Sequence, residues 1–335
     1  MKRTAAAILI LVLALLPGLP LTHAQDNPAA PAAPAPGATT APTIIVADGS
    51  SSGTYEEFLQ QIEAEFNGAI TFKRVPSSGA VQNLDLLINN VVSVAFMHSD
   101  VLAFRSKSTD MSHFKTLLAL FSEDVHFVAL AQPKSNGWSF TKPAPYNTID
   151  DLKGKKVGAA GGGVITSNVI RNSLLSAGQT TYTVVEYPSG ADALNALANG
   201  EVDAVEFTGA APLPNLSKLN SDYKILSIPD NVAHELSDIY HPATVTYVNM
   251  RPDAVQTIAA DCIVVARDYK SPRLWKPLKQ FRDLFDQDLT DLQETPGNHT
   301  KWQEVKADNH GKWPWLVFPG EPPVNDDVAP TGGGQ

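Results

Sequence analysis

Asp48-Gly49-Ser50-Ser51-Ser52-Gly53-Thr54-Tyr55 sets glycines and hydroxyls between an apolar stretch, 43–47, and an amphipathic one. Gly49 to Gly53 has the G-x-S-x-G spelling of the turn that exposes a nucleophilic serine, which would make Ser51 the nucleophile of a hydrolase. The same loop at the start of a helix suits an anion, because first-turn N–H groups lack intrahelical partners and the helix dipole favours negative charge there. Simple capping of the helix by Ser52 or Thr54 is a third reading. Chain order weighs against the nucleophile. The oxyanion-hole loop of that hydrolase fold comes from an earlier strand, and only an Ala/Pro-rich segment precedes Thr43.

Other groups offer less. Gly158-Ala159-Ala160-Gly161-Gly162-Gly163 follows a strand-like run but satisfies neither G-x-G-x-x-G nor the lysine-ending phosphate loop, so a tight turn competes with anion binding by backbone N–H groups. Asp48, Asp100 and Glu206 are candidate acids, with no spacing that pairs them. None of the histidines stands in a recognisable relation to Ser51. Cys262 is the only cysteine and sits in an apolar run, which predicts burial and excludes an intrachain disulfide. Without cysteine or histidine clusters there is no support for structural zinc, and no metal or other cofactor is expected.

The elements that would position these groups are legible. Phe58, Leu59, Ile62 and Phe66 recur at helical spacing and Asn67-Gly68 supplies a stop. Residues 69–75 read as a strand, Ser77-Ser78-Gly79 as a turn, and Val81, Leu84, Leu87 and Ile88 as the face of a second helix. Residues 91–97 form a third strand, with His98-Ser99-Asp100 opening a third helix. Residues 155–160, 183–186 and 202–207 then alternate with two more helices. Strands alternating with helices predict a mainly parallel sheet, with the junctions along the edge where α/β proteins bind ligands. Residues 253–267 read as a long strand returning to the first lobe, and 275–292 as an amphipathic helix.

The 335 residues open with Lys2-Arg3, an apolar run from Ala5 to Leu16, and small residues at Thr22 and Ala24. That pattern predicts a secretory signal peptide cleaved after Ala24, hence a periplasmic protein, since the run is too short to span a bilayer. Removing Lys2 and Arg3 takes the net charge from −10 to −12, which argues against nucleic acid as a partner. The expected organisation is signal peptide 1–24, Ala/Pro-rich tether 25–42, a first lobe from 43–131 plus 241–319, a second lobe 132–240, and a disordered tail 320–335. Crossover strands near Val128 to Ala131 and Tyr240 to Val248 would join the lobes.

Gly49 to Tyr55, Ser78 to Leu87, Ala95 to Val101, Asp151 to Val157 and Ala196 to Ala204 occur in the order found in one family. The chain resembles the TAXI-type solute-binding proteins of tripartite ATP-independent periplasmic (TRAP) transporters. The resemblance implies an α/β, two-lobed type II periplasmic-binding-protein fold with an interlobe ligand cleft. It further implies a monomer that is not an enzyme, takes a small organic acid or amino acid, and delivers it to TRAP transporter membrane subunits. Carried over by residue, it places Ser51, Ser52, Thr54, Tyr55, Ser78, Ser99 and Asp100 at the cleft, with Gly162, Gly163 and Thr166 on the second lobe. The chain departs from the family pattern in three places: Gly161-Gly162-Gly163-Val164-Ile165-Thr166 replaces the usual Gly-Ser-Gly-Thr, His98 stands where Gln is usual, and the stretch 132–147, with Trp138, Phe140 and Tyr146, is longer than the family's connection and would cover the cleft or pad the lobe. The same fold would equally serve an ATP-driven (ABC) importer or a sensor kinase.

Overall fold

The computed structural model describes residues 41–51, 53–134 and 144–323. The expected signal peptide, nearly all of the tether, Ser52, Trp138, Phe140 and the chain beyond 323 lie outside the described residues.

The first half builds three parallel strands, β1 (Thr43–Ala47), β2 (Thr71–Arg74) and β3 (Val94–His98). They alternate with α1 (Thr54–Glu65), α2 (Ala80–Ile88) and α3 (Ser99–Arg105). The second half repeats the plan with β5 (Lys156–Ala159), β6 (Thr183–Glu186) and β7 (Ala204–Gly209), again parallel, and helices α4 (Gly162–Ser176) and α5 (Gly190–Asn199). Asn67 and Gly68 adopt positive φ just after α1, and Gly200 caps α5 in the left-handed region, as the stop signals require.

Between the two halves run β4 (Phe114–Leu130) and β10 (Arg251–Arg267), giving the order β2-β1-β3-β10-β4-β7-β5-β6. The short β8 (Tyr223–Leu226) pairs with β4, while β9 (His241–Tyr247) pairs with β10. Helix α6 (Asp230–Glu235) lies between β8 and β9, and α7 (Pro272–Glu294) follows β10. The sheet is therefore mixed, because β4 and β10 run antiparallel to their neighbours; the expectation of a mainly parallel sheet holds only within each half.

Both long strands change partners near their middles. β4 pairs with β10 from Phe114 to Asp124 and with β7 from Asp124 to Ala129; β10 pairs with β9 up to Ala259 and with β3 from Cys262. The expected crossover at Val128 to Ala131 lies in the stretch already paired with β7 and β8, and the one at Tyr240 to Val248 is β9, whose named pairing is to β10 alone. Apolar, β-branched composition identified these segments as strands but says nothing about partners, which register decides.

Apolar faces close each half separately. Phe58 of α1 stacks on Trp302, 4.3 Å between ring centroids, in a core shared with Val94, Phe121, Cys262 and Phe281. In the second half Val128, Ala193, Leu197 and Val205 share a core with Val245, Tyr247 and Val255. At the C-terminal end Glu321 accepts two hydrogen bonds from Arg282 of α7, at 2.6 and 2.5 Å, so the expected tail is held in place at its start.

Candidate binding cleft

The junctions converge on one cavity of about 310 Å³. From the first half come Asp48, Gly49 and Ser50 after β1, Gly53 to Tyr55 at the start of α1, Gly79 and Ala80 at the start of α2, and His98 at the end of β3. From the second come Ala160, Gly162 and Gly163 at the start of α4, Gly190 at the start of α5, and Glu206 to Gly209 of β7. Phe121 and Glu123 reach it from β4, close to where that strand changes partners.

The helix starts facing the cavity are open. The residues preceding α1, α2 and α4 are Gly53, Gly79 and Gly161, and no side chain caps these ends. The N–H groups of Thr54, Tyr55, Ala80 and Gly162, all in the lining, therefore remain available to a ligand, whereas those of Gly163 and Val164 donate to the Ala160 and Gly161 carbonyls at 3.1 and 3.2 Å. Glycine also lets backbone come close. A Cβ on Gly162 would stand 2.4 Å from His98 Nε2, and one on Gly163 2.4 Å from Glu206 Oε2.

His98 is fixed from behind. Its Nδ1 contacts Asp100 Oδ1, while Asp100 Oδ2 accepts hydrogen bonds from Thr166 Oγ1 of α4 at 2.8 Å and from Tyr240 OH at 2.6 Å. All four residues are buried, so one carboxylate of the first half is satisfied by two hydroxyls beyond β4 in the chain. Burial works against a charged imidazole, but the Asp100 carboxylate outweighs it and holds His98 up at about 9. Burial likewise opposes the Asp100 charge, and the contact with His98 and the two hydroxyl donors win, so that carboxyl lies below its usual range. His98 is thus a cationic donor whose Nε2 lies beside Gly162.

The other ionisable groups are acidic. Burial pushes Glu206 up to about 8; its Oε1 accepts from Thr208 Oγ1 at 2.5 Å and its Oε2 has no hydrogen-bond partner. Burial also raises Glu123, whose Oε1 accepts from Tyr55 OH at 2.5 Å. Asp48 is raised by burial too, with its Oδ2 3.3 Å from Arg74 Nη1. Among the described residues no lysine or arginine belongs to the lining.

Of the residues expected at the cleft, Thr54, Tyr55, Gly162 and Gly163 line the cavity. Ser51 and Ser78 are exposed and outside its lining, where Ser50 and Gly79 stand instead. Ser99, Asp100 and Thr166 are buried and absent from its lining, Asp100 and Thr166 behind His98. Ser52 lies outside the described residues. Glu206 had been marked as an acid but left without a partner, and Glu123 and Phe121 carried no local signal, since they lie in the middle of a long strand and not at a junction. Among the described residues no group of three or more histidines, cysteines, aspartates and glutamates is arranged to hold a metal ion.

The profile of the NMT1-like family matches residues 47–275. No curated protein matches the sequence. Among solved structures, the crystal structure of Tv2483 bound to L-arginine aligns with a TM-score of 0.50 at 11% identity, over 78% of this chain and 91% of that one. A substrate-binding protein of an amino acid ABC transporter aligns at 14% identity with a TM-score of 0.43, over 73% and 98%. The GluR0 ligand-binding core from Nostoc punctiforme, in complex with L-glutamate, aligns at 16% with a TM-score of 0.42, over 73% and 98%. Identities this low speak to fold alone, and the fold is the two-lobed one of periplasmic solute-binding proteins.

Proposed function

The chain belongs to the NMT1-like family, and from that premise we propose that it is a periplasmic solute-binding protein whose cleft captures a small, polar, carboxylate-bearing solute. One observation carries the reading: three uncapped helix starts, those of α1, α2 and α4, open into a single cavity beside the buried cation His98. Helix starts and an imidazolium are donors of the kind that bind carboxylates. The volume, about 310 Å³, lies at the small end for ligand sites.

Binding fits the site better than catalysis does. Ser51 is exposed outside the lining, and His98, held charged by Asp100, is a donor near neutral pH and not a base. For delivery, the ordered segments from Gly49 to Ala204 favour TRAP membrane subunits driven by an ion gradient.

Mass spectrometry of the solute that co-purifies, followed by a thermal-shift screen of amino acids and dicarboxylates, tests the ligand class. A true ligand at ~100 times its dissociation constant adds about 2.7 kcal/mol of stability. The carboxylate reading is sunk if neutral or aromatic solutes shift the melting and no carboxylate does. Uptake into vesicles carrying the membrane subunits tests the partner: dependence on an ion gradient supports TRAP delivery, and dependence on ATP replaces it with an ABC importer.

A further inference from the structure

The cavity has more carboxyl groups than a carboxylate ligand alone would suit. Asp48, Glu123 and Glu206 line it, against His98 as the single group able to be positive among the described residues. Two of these acids are spoken for: Asp48 lies beside Arg74, and Glu123 holds the Tyr55 hydroxyl. Glu206 is not. It is 1% exposed and its Oε2 has no hydrogen-bond partner. A buried carboxyl oxygen without a partner is costly, and natural sites keep such a group where a ligand completes it; a ligand cation would do so by favouring the ionised form that burial disfavours.

Its position identifies the missing partner. Glu206 Oε2 stands within contact of the α4 backbone at Gly163, where even a Cβ would be only 2.4 Å away. The Gly163 N–H donates to Ala160 O, and the neighbouring Gly162 N–H heads the same uncapped first turn, which favours negative charge. A donor site for an anion and an acceptor site for a cation therefore lie side by side. Resting on the binding reading above, we propose that Glu206 receives a ligand ammonium group next to the carboxylate-binding start of α4. The cleft accordingly selects small zwitterionic amino acids over the same carbon skeletons without the amine. A site built around a polar partner rejects the analogue that lacks it, because the site's own group is then left unpaired.

Calorimetry on the full chain, freed of co-purified solute, tests this with matched pairs: glutamate against 2-oxoglutarate, alanine against pyruvate, leucine against 4-methyl-2-oxopentanoate. In the pair that binds, the amino acid is expected to be at least tenfold tighter. Glu206→Gln should weaken the amino acid at least tenfold and the oxo acid by less than threefold, and Glu206→Asp, which keeps an ionisable carboxyl, should retain part of the preference. Circular dichroism checks that each variant is folded. An oxo acid that binds the wild type as tightly as its amino acid overturns the ammonium assignment while leaving a carboxylate-binding protein. Equal weakening of both members by Glu206→Gln overturns it as well, since that is the mark of a purely structural residue. Should Glu206→Gln fail to fold, the wild-type comparison and the identity of the co-purified solute decide: a solute with no amine overturns the assignment. If no member of any pair binds and nothing co-purifies, the binding reading falls and this one with it.

Discussion

The Nε2 of His98 occupies the space that a side chain at position 162 would need: a Cβ on Gly162 would lie 2.4 Å from it. Positions 162 and 98, where the resemblance drawn from the sequence leads one to expect serine and glutamine, thus face each other across the cleft as glycine and histidine. A histidine there brings a cation and needs the opposite backbone close, and only glycine leaves that room.

Gly162→Ser should accordingly fail in this background and be tolerated in the other. The His98 ring is buried and tied to Asp100, so it cannot swing aside. Overpacking of this kind costs about 1–3 kcal/mol. Urea denaturation should show that loss for Gly162→Ser alone and recover at least half of it in the Gly162→Ser, His98→Gln double variant. No recovery would mean that serine offends something other than His98.

Asp100→Asn removes the partner that keeps His98 charged. Breaking a buried pair from one side destabilises by about 3–5 kcal/mol, and equilibrium unfolding near pH 7 should reveal a loss in that range. An NMR titration of His98 in the variant should find its pKa well below about 9, the value reached with Asp100 in place.

Thr166 and Tyr240 hold Asp100 Oδ2 at 2.8 and 2.6 Å from the far side of the cleft. Thr166→Val and Tyr240→Phe each remove one donor at nearly constant volume, at a cost of about 1–3 kcal/mol because the acceptor is charged. The double variant should have a larger radius of gyration by small-angle scattering without ligand and return to the wild-type value with it. An unchanged radius would show that the network stabilises the halves without holding them together.

Stability should fall as pH rises from near neutral to about 9. His98 has a folded-state pKa of about 9 against an ordinary 6.5, so its contribution is whole below 6.5 and lost as pH climbs through 9. Glu206 acts in the same direction, at about 8 against 4.5, because the folded chain holds a neutral carboxyl that the unfolded chain ionises. Asp100 is lowered, and its contribution is lost only in acid, below the ordinary 3.8. Melting temperatures of the ligand-free chain should decline between pH 6.5 and 9, and Glu206→Gln should be the more stable protein at pH 8 because it has no proton to lose. A flat profile would mean that neither group is buried as described.

Local chemistry made much of the frame legible. β1 and β6 have the bounds that their apolar runs imply, and α1 and α5 stop where Asn67-Gly68 and Asn199-Gly200 dictate, since strands, turns and helix ends depend on neighbours a few residues away. The junction loops, and so the region of the cleft, followed from the alternation of strands and helices. What escaped was pairing across distance: the partner changes in β4 and β10, and the presence of Phe121 and Glu123 at the cavity from mid-strand.

The sequence by itself determined that hydroxyls, glycines and open helix starts gather at one edge, which is why Gly49 to Tyr55 stood out first. Only the tertiary structure decided the charge of the site. Asp100 meets hydroxyls 66 and 140 residues away, and Glu206 is left with an unpartnered oxygen by the way α4 lies against β7. Whether a carboxyl is ionised, and whether a histidine is a cation or a base, depends on burial and on neighbours through space, and no spacing along the chain records either.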